Sequence, residues 1–243
     1  MSRAADVLVG SLKNQGVDRI FCVPGESYLS VIDALYDAPE IDVVRVRHEG
    51  GGGFMALADA KYTGKTGVEF VSRGPGATNA SIGVHVAMQD ALPLVLFIGQ
   101  VPRSDIGRGA FQEVNYVKTF SDMAKLVLEI EEPDRLAEEV QRAFFIANTQ
   151  TPGPVVVSLP EDMLLEDTKI GPLPTRPLSV SEPDGAQIVE LCERLAEAKK
   201  PVLIAGGQIG FEAGKRALRQ VAERWKIPVA LAWRRQDLFD HSH

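Results

Sequence analysis

Apolar positions along the chain switch repeatedly between helical and strand spacing. Ala5, Leu8, Val9 and Leu12 recur every three or four residues, the pattern of an amphipathic helix, and Gly16 stands where such a helix ends. Residues 17–23 then read as a short strand running into Pro24-Gly25-Glu26-Ser27. Leu29, Ile32, Leu35 and Tyr36 mark a second helix with Ser27 as its cap. The β-branched run Val43-Val44-Arg45-Val46 predicts the next strand, which delivers His48 and Glu49 to its carboxyl end. A helix running to about Tyr62 follows and is stopped by Thr63-Gly64. Gly67 to Val71 predicts another strand, opening into Ser72-Arg73-Gly74-Pro75-Gly76-Ala77-Thr78-Asn79. A small-residue helix is expected over 79–90, then a fully apolar strand over 94–98. Periodicity fades over 101–119. It returns in an amphipathic helix over 133–148 and a last buried strand centred on Val155-Val156-Val157.

Alternating strands and helices of these lengths predict an α/β fold, a doubly wound parallel sheet with helices on both faces. Four prolines, Pro172, Pro174, Pro177 and Pro183, then interrupt any apolar face, and the pattern restarts. A helix over 186–198, a strand over 201–205, the turn Gly206 to Gly210, a helix over 213–225 and a strand over 229–233 predict an incomplete second unit of Rossmann-like α/β type. The expected organisation is a first domain over 1–165, a linker over 166–184 and the beginning of another domain over 185–243. The chain therefore reads as part of a longer protein.

In open parallel sheets, ligands bind outside the carboxyl ends of the strands. Pro24-Gly25-Glu26, His48-Glu49-Gly50, Gly74-Pro75-Gly76 and Gly99-Gln100 all fall at those ends, so one edge of the sheet is expected to carry a site. Within it, Glu49 supplies a single carboxylate, followed by the four glycines Gly50 to Gly53. Glycine costs a helix interior roughly 1 kcal/mol relative to alanine, so four in a row predict a place where another surface comes against the backbone.

Composition narrows the partners. The 243 residues are 45% hydrophobic and 24% charged, ordinary for a packed domain, and the net charge of −7 opposes a nucleic-acid partner. No apolar run approaches the ~18 residues of a membrane span, and the amino terminus reads as no signal peptide. Cys22 and Cys192 lie in apolar runs without metal-ligand spacing. They predict buried thiols in a cytoplasmic protein and no metal ligands.

Taken in order, Phe21-Cys22-Val23-Pro24-Gly25-Glu26, Arg47-His48-Glu49, Gly74-Pro75-Gly76-Ala77-Thr78-Asn79, Pro93 to Gln100 and Gly153-Pro154-Val155-Val156-Val157 resemble the thiamine-diphosphate-dependent enzymes, most nearly the acetolactate synthase and pyruvate oxidase group. The resemblance covers nearly the whole chain: the pyrimidine-binding domain and the start of the central domain. It implies a decarboxylase or carboligase of small 2-oxo acids, in which Glu49 hydrogen-bonds the cofactor's pyrimidine nitrogen and activates it. It also places Pro24, Gly25, Pro75 and Asn79 by the cofactor, and Gln112, with His48 as a secondary candidate, by the substrate. In that family the diphosphate is held through Mg²⁺ by a carboxyl-terminal Gly-Asp-Gly motif that this sequence lacks. The resemblance therefore implies half a site, completed by a second subunit in a homodimer or homotetramer. FAD in the central domain is implied only for some relatives. The residue after Glu49 is often glutamine in the family, so the tetraglycine is a departure. Two alternatives stand beside this reading: a non-catalytic half-site or assembly module, and another thiamine-diphosphate enzyme of pyruvate oxidase or decarboxylase type.

Overall fold

The computed structural model describes residues 1–179 and 181–243, which divide into two compact units, Met1–Leu178 and Ser179–His243. The first is built on a six-stranded, wholly parallel sheet. In chain order it comprises β1 (Ser2–Arg3), α1 (Ala4–Asn14), β2 (Arg19–Cys22), α2 (Leu29–Tyr36), β3 (Asp42–Arg45), α3 (Glu49–Thr63), β4 (Gly67–Ser72), α4 (Arg73–Asp90), β5 (Leu94–Gln100), α5 (Tyr116–Phe120), β6 (Leu126–Glu129), α6 (Leu136–Asn148), β7 (Pro154–Pro160) and β8 (Asp167–Thr168). The sheet order is β3-β2-β4-β5-β7-β6. Chain order therefore reverses direction between β2 and β4.

Successive side chains of a strand face opposite sides, and each central strand feeds two cores. Ile20, Val68, Phe70, Val95, Phe97, Val155 and Val157 pack with α1, α2 and α6. Phe21, Val71, Leu94, Leu96, Ile98 and Val156 pack with α3, α4 and α5. The expected helices on both faces are thus present. Phe70 and Phe97 stack across β4 and β5 with ring centroids 4.6 Å apart.

Local differences from the sequence expectation have physical causes. α4 begins at Arg73 rather than near Asn79, because Pro75 falls in its first turn, where no amide donor is needed. The Gln112 carbonyl accepts from the Gly74 amide at 2.9 Å and closes that end. α3 begins at Glu49 and takes all four glycines into its first turns, against their propensity. The segment expected to be irregular ends in α5, anchored by buried Tyr116 and Phe120. Edge strand β6 is half-buried throughout and too short for its alternation to be read. The strands β1 and β8 pair antiparallel, Ser2 with Thr168 and Arg3 with Asp167.

The proline-rich stretch up to Leu178 lies within the first unit. Leu173 accepts from Asn14, Pro174 accepts from Gln141, and the Arg176 guanidinium lies 4.2 Å from the Phe145 ring centre.

The second unit comprises α7 (Gly185–Glu197), β9 (Leu203–Ala205), α8 (Glu212–Trp225) and β10 (Val229–Leu231), with β9 and β10 parallel. Cys22 is buried as expected, but Cys192 is exposed, a correction to the reading of both thiols as buried. The cause is that α7 has no buried residue, so its apolar side, Ile188, Val189 and Leu191 included, stays open. The glycine turn after β9 is engaged by Arg235, whose Nη1 donates to the Gly207 carbonyl at 3.1 Å.

Candidate active site

Three neighbouring strands, β3, β2 and β4, carry the candidate residues at their carboxyl ends, beside the point where the sheet reverses its order. At the end of β3, His48 is the N-cap of α3: its Nδ1 accepts from the Gly50 amide at 3.0 Å. Such a cap satisfies one of the orphan donors of a helix amino terminus. It fixes the next residue, Glu49, as the first of the helix.

Glu49 is half-buried and faces α4. Asn79, a full turn into α4, donates from Nδ2 to Glu49 Oε2 at 2.9 Å. The other oxygen, Oε1, looks onto Gly76, where an added Cβ would stand 3.4 Å away. Two residues thirty apart in sequence, both singled out in advance, thus meet directly. At the end of β2, Pro24 is exposed and Gly25 approaches the end of β4: a Cβ on Gly25 would come 2.5 Å from Ser72 Cβ. Ser27 and Ser72 hydrogen-bond hydroxyl to hydroxyl at 2.9 Å. Pro75 is exposed in the first turn of α4. Gln112, half-buried with φ +65°, joins the same helix end through its carbonyl rather than by a recorded side-chain contact.

Other polar groups at this edge went unread. Arg73, nine-tenths buried, has the left-handed φ of +29° and pairs with Glu161 at 2.7 Å and Glu26 at 3.2 Å. It borders a cavity of about 470 Å³ with Ser27, Ser30, Pro102 and Asp162. Glu129, on β6, accepts from Ser158 at 2.9 Å beside Gln100, whose amide donates to the Val114 carbonyl.

The largest omission is Glu69, in the middle of β4 and wholly buried. Neither carboxyl oxygen has a hydrogen-bond partner among the described residues. Burial, with the charge of Glu49 adding to it, pushes this carboxyl up to about 9. The sequence did hold a signal for it, a lone charge inside the otherwise apolar run Gly67 to Val71.

Glu69 also accounts for part of the tetraglycine. A Cβ on Gly52 would overlap Glu69 Oε1, and one on Gly53 would lie 3.1 Å from Oε2 and 3.1 Å from Gly83 Cα. Gly52→Ala is therefore expected to destabilise the first unit, whereas in a Glu69→Ala background, with the Val46 side chain 3.1 Å from the new Cβ moving into the vacated space, the same change is expected to gain the helix propensity of alanine, roughly 0.5–1 kcal/mol. Denaturant midpoints of the two singles and the double check this reversal of sign.

A carboxyl seated at a helix start and at the reversal point of a parallel sheet, within reach of a side-chain amide, stands at the edge where open α/β sheets bind their ligands. Comparison with known proteins then places the chain. The N-terminal TPP binding domain of the thiamine pyrophosphate enzymes matches residues 2–119, and the central domain of the same enzymes matches residues 188–243. The acetolactate synthase large subunit of Lactococcus lactis subsp. lactis (strain IL1403) is 37% identical over 229 residues, 93% of this chain and 40% of its own length. The isozyme 3 large subunit of Escherichia coli (strain K12) is 34% identical over 249 residues, 100% of this chain and 43% of its own. The chloroplastic acetolactate synthase 3 of Brassica napus is 36% identical over 239 residues, 94% of this chain and 36% of its own. The chain belongs to the thiamine pyrophosphate enzymes and spans about two fifths of the length of these relatives.

The residues present suit the pyrimidine half of that cofactor: a half-buried carboxyl held by an amide, with Gly76 beside its second oxygen. Among the described residues no group of three or more His, Cys, Asp or Glu side chains could hold a metal ion. No helix among them is long and apolar enough to cross a membrane.

Proposed function

We propose that the chain forms the pyrimidine-binding part of a thiamine-diphosphate-dependent enzyme acting on small 2-oxo acids, of acetolactate synthase type. The observation that carries this reading is the Glu49–Asn79 pair at the carboxyl edge of a domain of this family. When bound, thiamine diphosphate supplies a nucleophilic carbon that adds to a 2-oxo acid and holds the electron pair released on decarboxylation. Glu49 is the acid that exchanges a proton with the pyrimidine nitrogen. Asn79 orients its carboxyl, and the His48 cap fixes the backbone from which Glu49 projects. Pro24, Gly25 and Pro75 shape the walls around the ring, and Gln112 lies on the substrate side. The Mg²⁺–diphosphate contacts belong, on this reading, to a further segment carried by a second copy in the oligomer, and the chain by itself is inactive.

The test is hydrogen–deuterium exchange at the cofactor's reactive carbon in the holoenzyme. Glu49→Gln is expected to slow it by roughly 10²–10⁴-fold, the usual worth of a positioned acid–base group. Exchange that proceeds undiminished in the variant overturns the assignment.

A further inference from the structure

The acid–base reading leaves one buried titratable group without a task. Glu69 lies on β4 between Phe21 of β2 and Leu96 of β5, on the sheet face covered by α3 and α4. Its carboxyl fills the hollow that Gly52 and Gly53 leave beneath the first turns of α3. The acid on its own side of the sheet is Glu49 of α3; Cys22 of β2 and Tyr28 ahead of α2 pack on the opposite face, where the Glu69 charge raises both. Arg45 of β3, which acts on Cys22, is exposed, and α4 meets the Gly53 turn at Gly83. The Gly53 amide, part of the α3 helix, favours the charged form less than burial and Glu49 oppose it, and it makes no hydrogen bond of normal geometry to either oxygen. A carboxylate without a cation or a full set of donors is not tolerated in such surroundings. Gly51, next to the two glycines that rest on the carboxyl, is exposed, and an added Cβ there would meet nothing within 4 Å, so this turn has open space to move into.

We propose that Glu69 is a positioning residue for Glu49: as a neutral acid it fills the hollow under the glycine turn and keeps Glu49 against Asn79, and its ionisation releases that turn. The link to Glu49 is the short one along α3, since Glu49 opens the helix and Gly52 and Gly53 rest on the Glu69 carboxyl. This explains why side chains are missing on the buried side of the turn, while Gly51 on the open side lacks any such constraint. The inference rests on the proposed function only for the task given to Glu49.

The experiment is an NMR titration of the chain without cofactor, labelled with ¹⁵N and with ¹³C at the glutamate carboxyls, from about pH 5 to 10. The Glu69 carboxyl is expected to titrate near 9. The amides of Gly50 to Gly53 and the Asn79 side-chain amide are expected to shift with the same midpoint. In Glu69→Gln those amides are expected to stay flat across that range. A role in packing alone would not give the glycines and Asn79 the midpoint of Glu69. If Glu69→Gln does not fold, Glu49→Gln serves: loss of the neighbouring charge is expected to lower the Glu69 midpoint, and an unmoved midpoint refutes the link. A Glu69 midpoint in the ordinary carboxylate range overturns the proposal. So do glycine amides that ignore it, or an alkaline transition that persists in Glu69→Gln. None of these outcomes bears on the exchange test for Glu49, so the two readings fail separately.

Discussion

Glu69→Met is expected to stabilise the first unit at pH 8 by several kcal/mol and to flatten its stability between about pH 5 and 9. The sign follows from proton binding. In the folded chain the Glu69 carboxyl keeps its proton up to about 9, whereas in the unfolded chain it loses it near the ordinary glutamate value. Between those limits the folded state binds more protons, so stability falls as pH rises. The contribution is intact below the unfolded value and is lost progressively up to the folded one. Each pH unit across the window is worth about 1.4 kcal/mol, which makes this the largest single effect of pH expected in the chain. Methionine matches the length of glutamate, needs no hydrogen-bond partner and adapts to irregular space. Both tryptophans, Trp225 and Trp233, lie in the second unit, so the first unit is read directly, by hydrogen exchange of the β4 and β5 amides in urea. Equal pH dependence in the chain and the variant would show that burying Glu69 costs nothing.

Gly83→Val is expected to be the most damaging single change in the α3–α4 layer. The two helices cross at glycines: a Cβ on Gly83 would sit 3.0 Å from Gly53 Cα, and one on Gly53 would sit 3.1 Å from Gly83 Cα. The obstacle is backbone on both sides, so relief requires the helices to part and unpack Ala56, Leu57, Ala80 and Val84 from the sheet. Overpacking of this kind costs about 1–3 kcal/mol, and a β-branched side chain against a helix backbone belongs at the upper end or beyond. Parting α3 from α4 also separates Glu49 from Asn79, so cofactor exchange should fall along with the thermal midpoint. The control is Gly51→Ala, in the same helix with open space around it, which should gain roughly 0.5–1 kcal/mol. A Gly83→Val chain as stable as its parent would mean that the crossing is not as close as described.

Much of the first unit was legible because its strands are buried on both faces and its helices are amphipathic. Val68, Phe70, Val95 and Phe97 sit in runs too short for a helix and rich in β-branched and aromatic residues, and the turns beside them carry glycine and proline. Propensity misled wherever a tertiary contact outweighed it. Gly50 to Gly53 read as a place where another surface meets the backbone, and at Gly52 and Gly53 the Glu69 carboxyl and Gly83 do so; that all four are helical runs against their propensity. Gly74-Pro75-Gly76 read as loop, yet it is the first turn of α4, its amide end closed by Gln112 from far along the chain. Strand β6 has the half-buried pattern of an edge and only four residues in which to show it. For the candidate site, the sequence named Glu49 and Asn79 separately. Their contact follows from the α3–α4 crossing, which no local pattern encodes. Glu69 was hidden for a different reason: a glutamate inside an apolar strand is most simply taken as an outward-facing residue, and only the three-dimensional packing shows that the strand has no outside.

The antiparallel pairing of Ser2-Arg3 with Asp167-Thr168 brings the two ends of the sheet domain to one spot, with the Ala4 amide donating to the Glu166 carbonyl at 2.8 Å. Entry and exit side by side make the domain a cassette: it can be set into a longer polypeptide without pulling its neighbours apart. They also make it a subject for circular permutation. A short linker from the segment after Thr168 back to Ser2, with new ends opened between the left-handed Gly107 and Gly109 in the exposed loop, leaves all six sheet strands in their order.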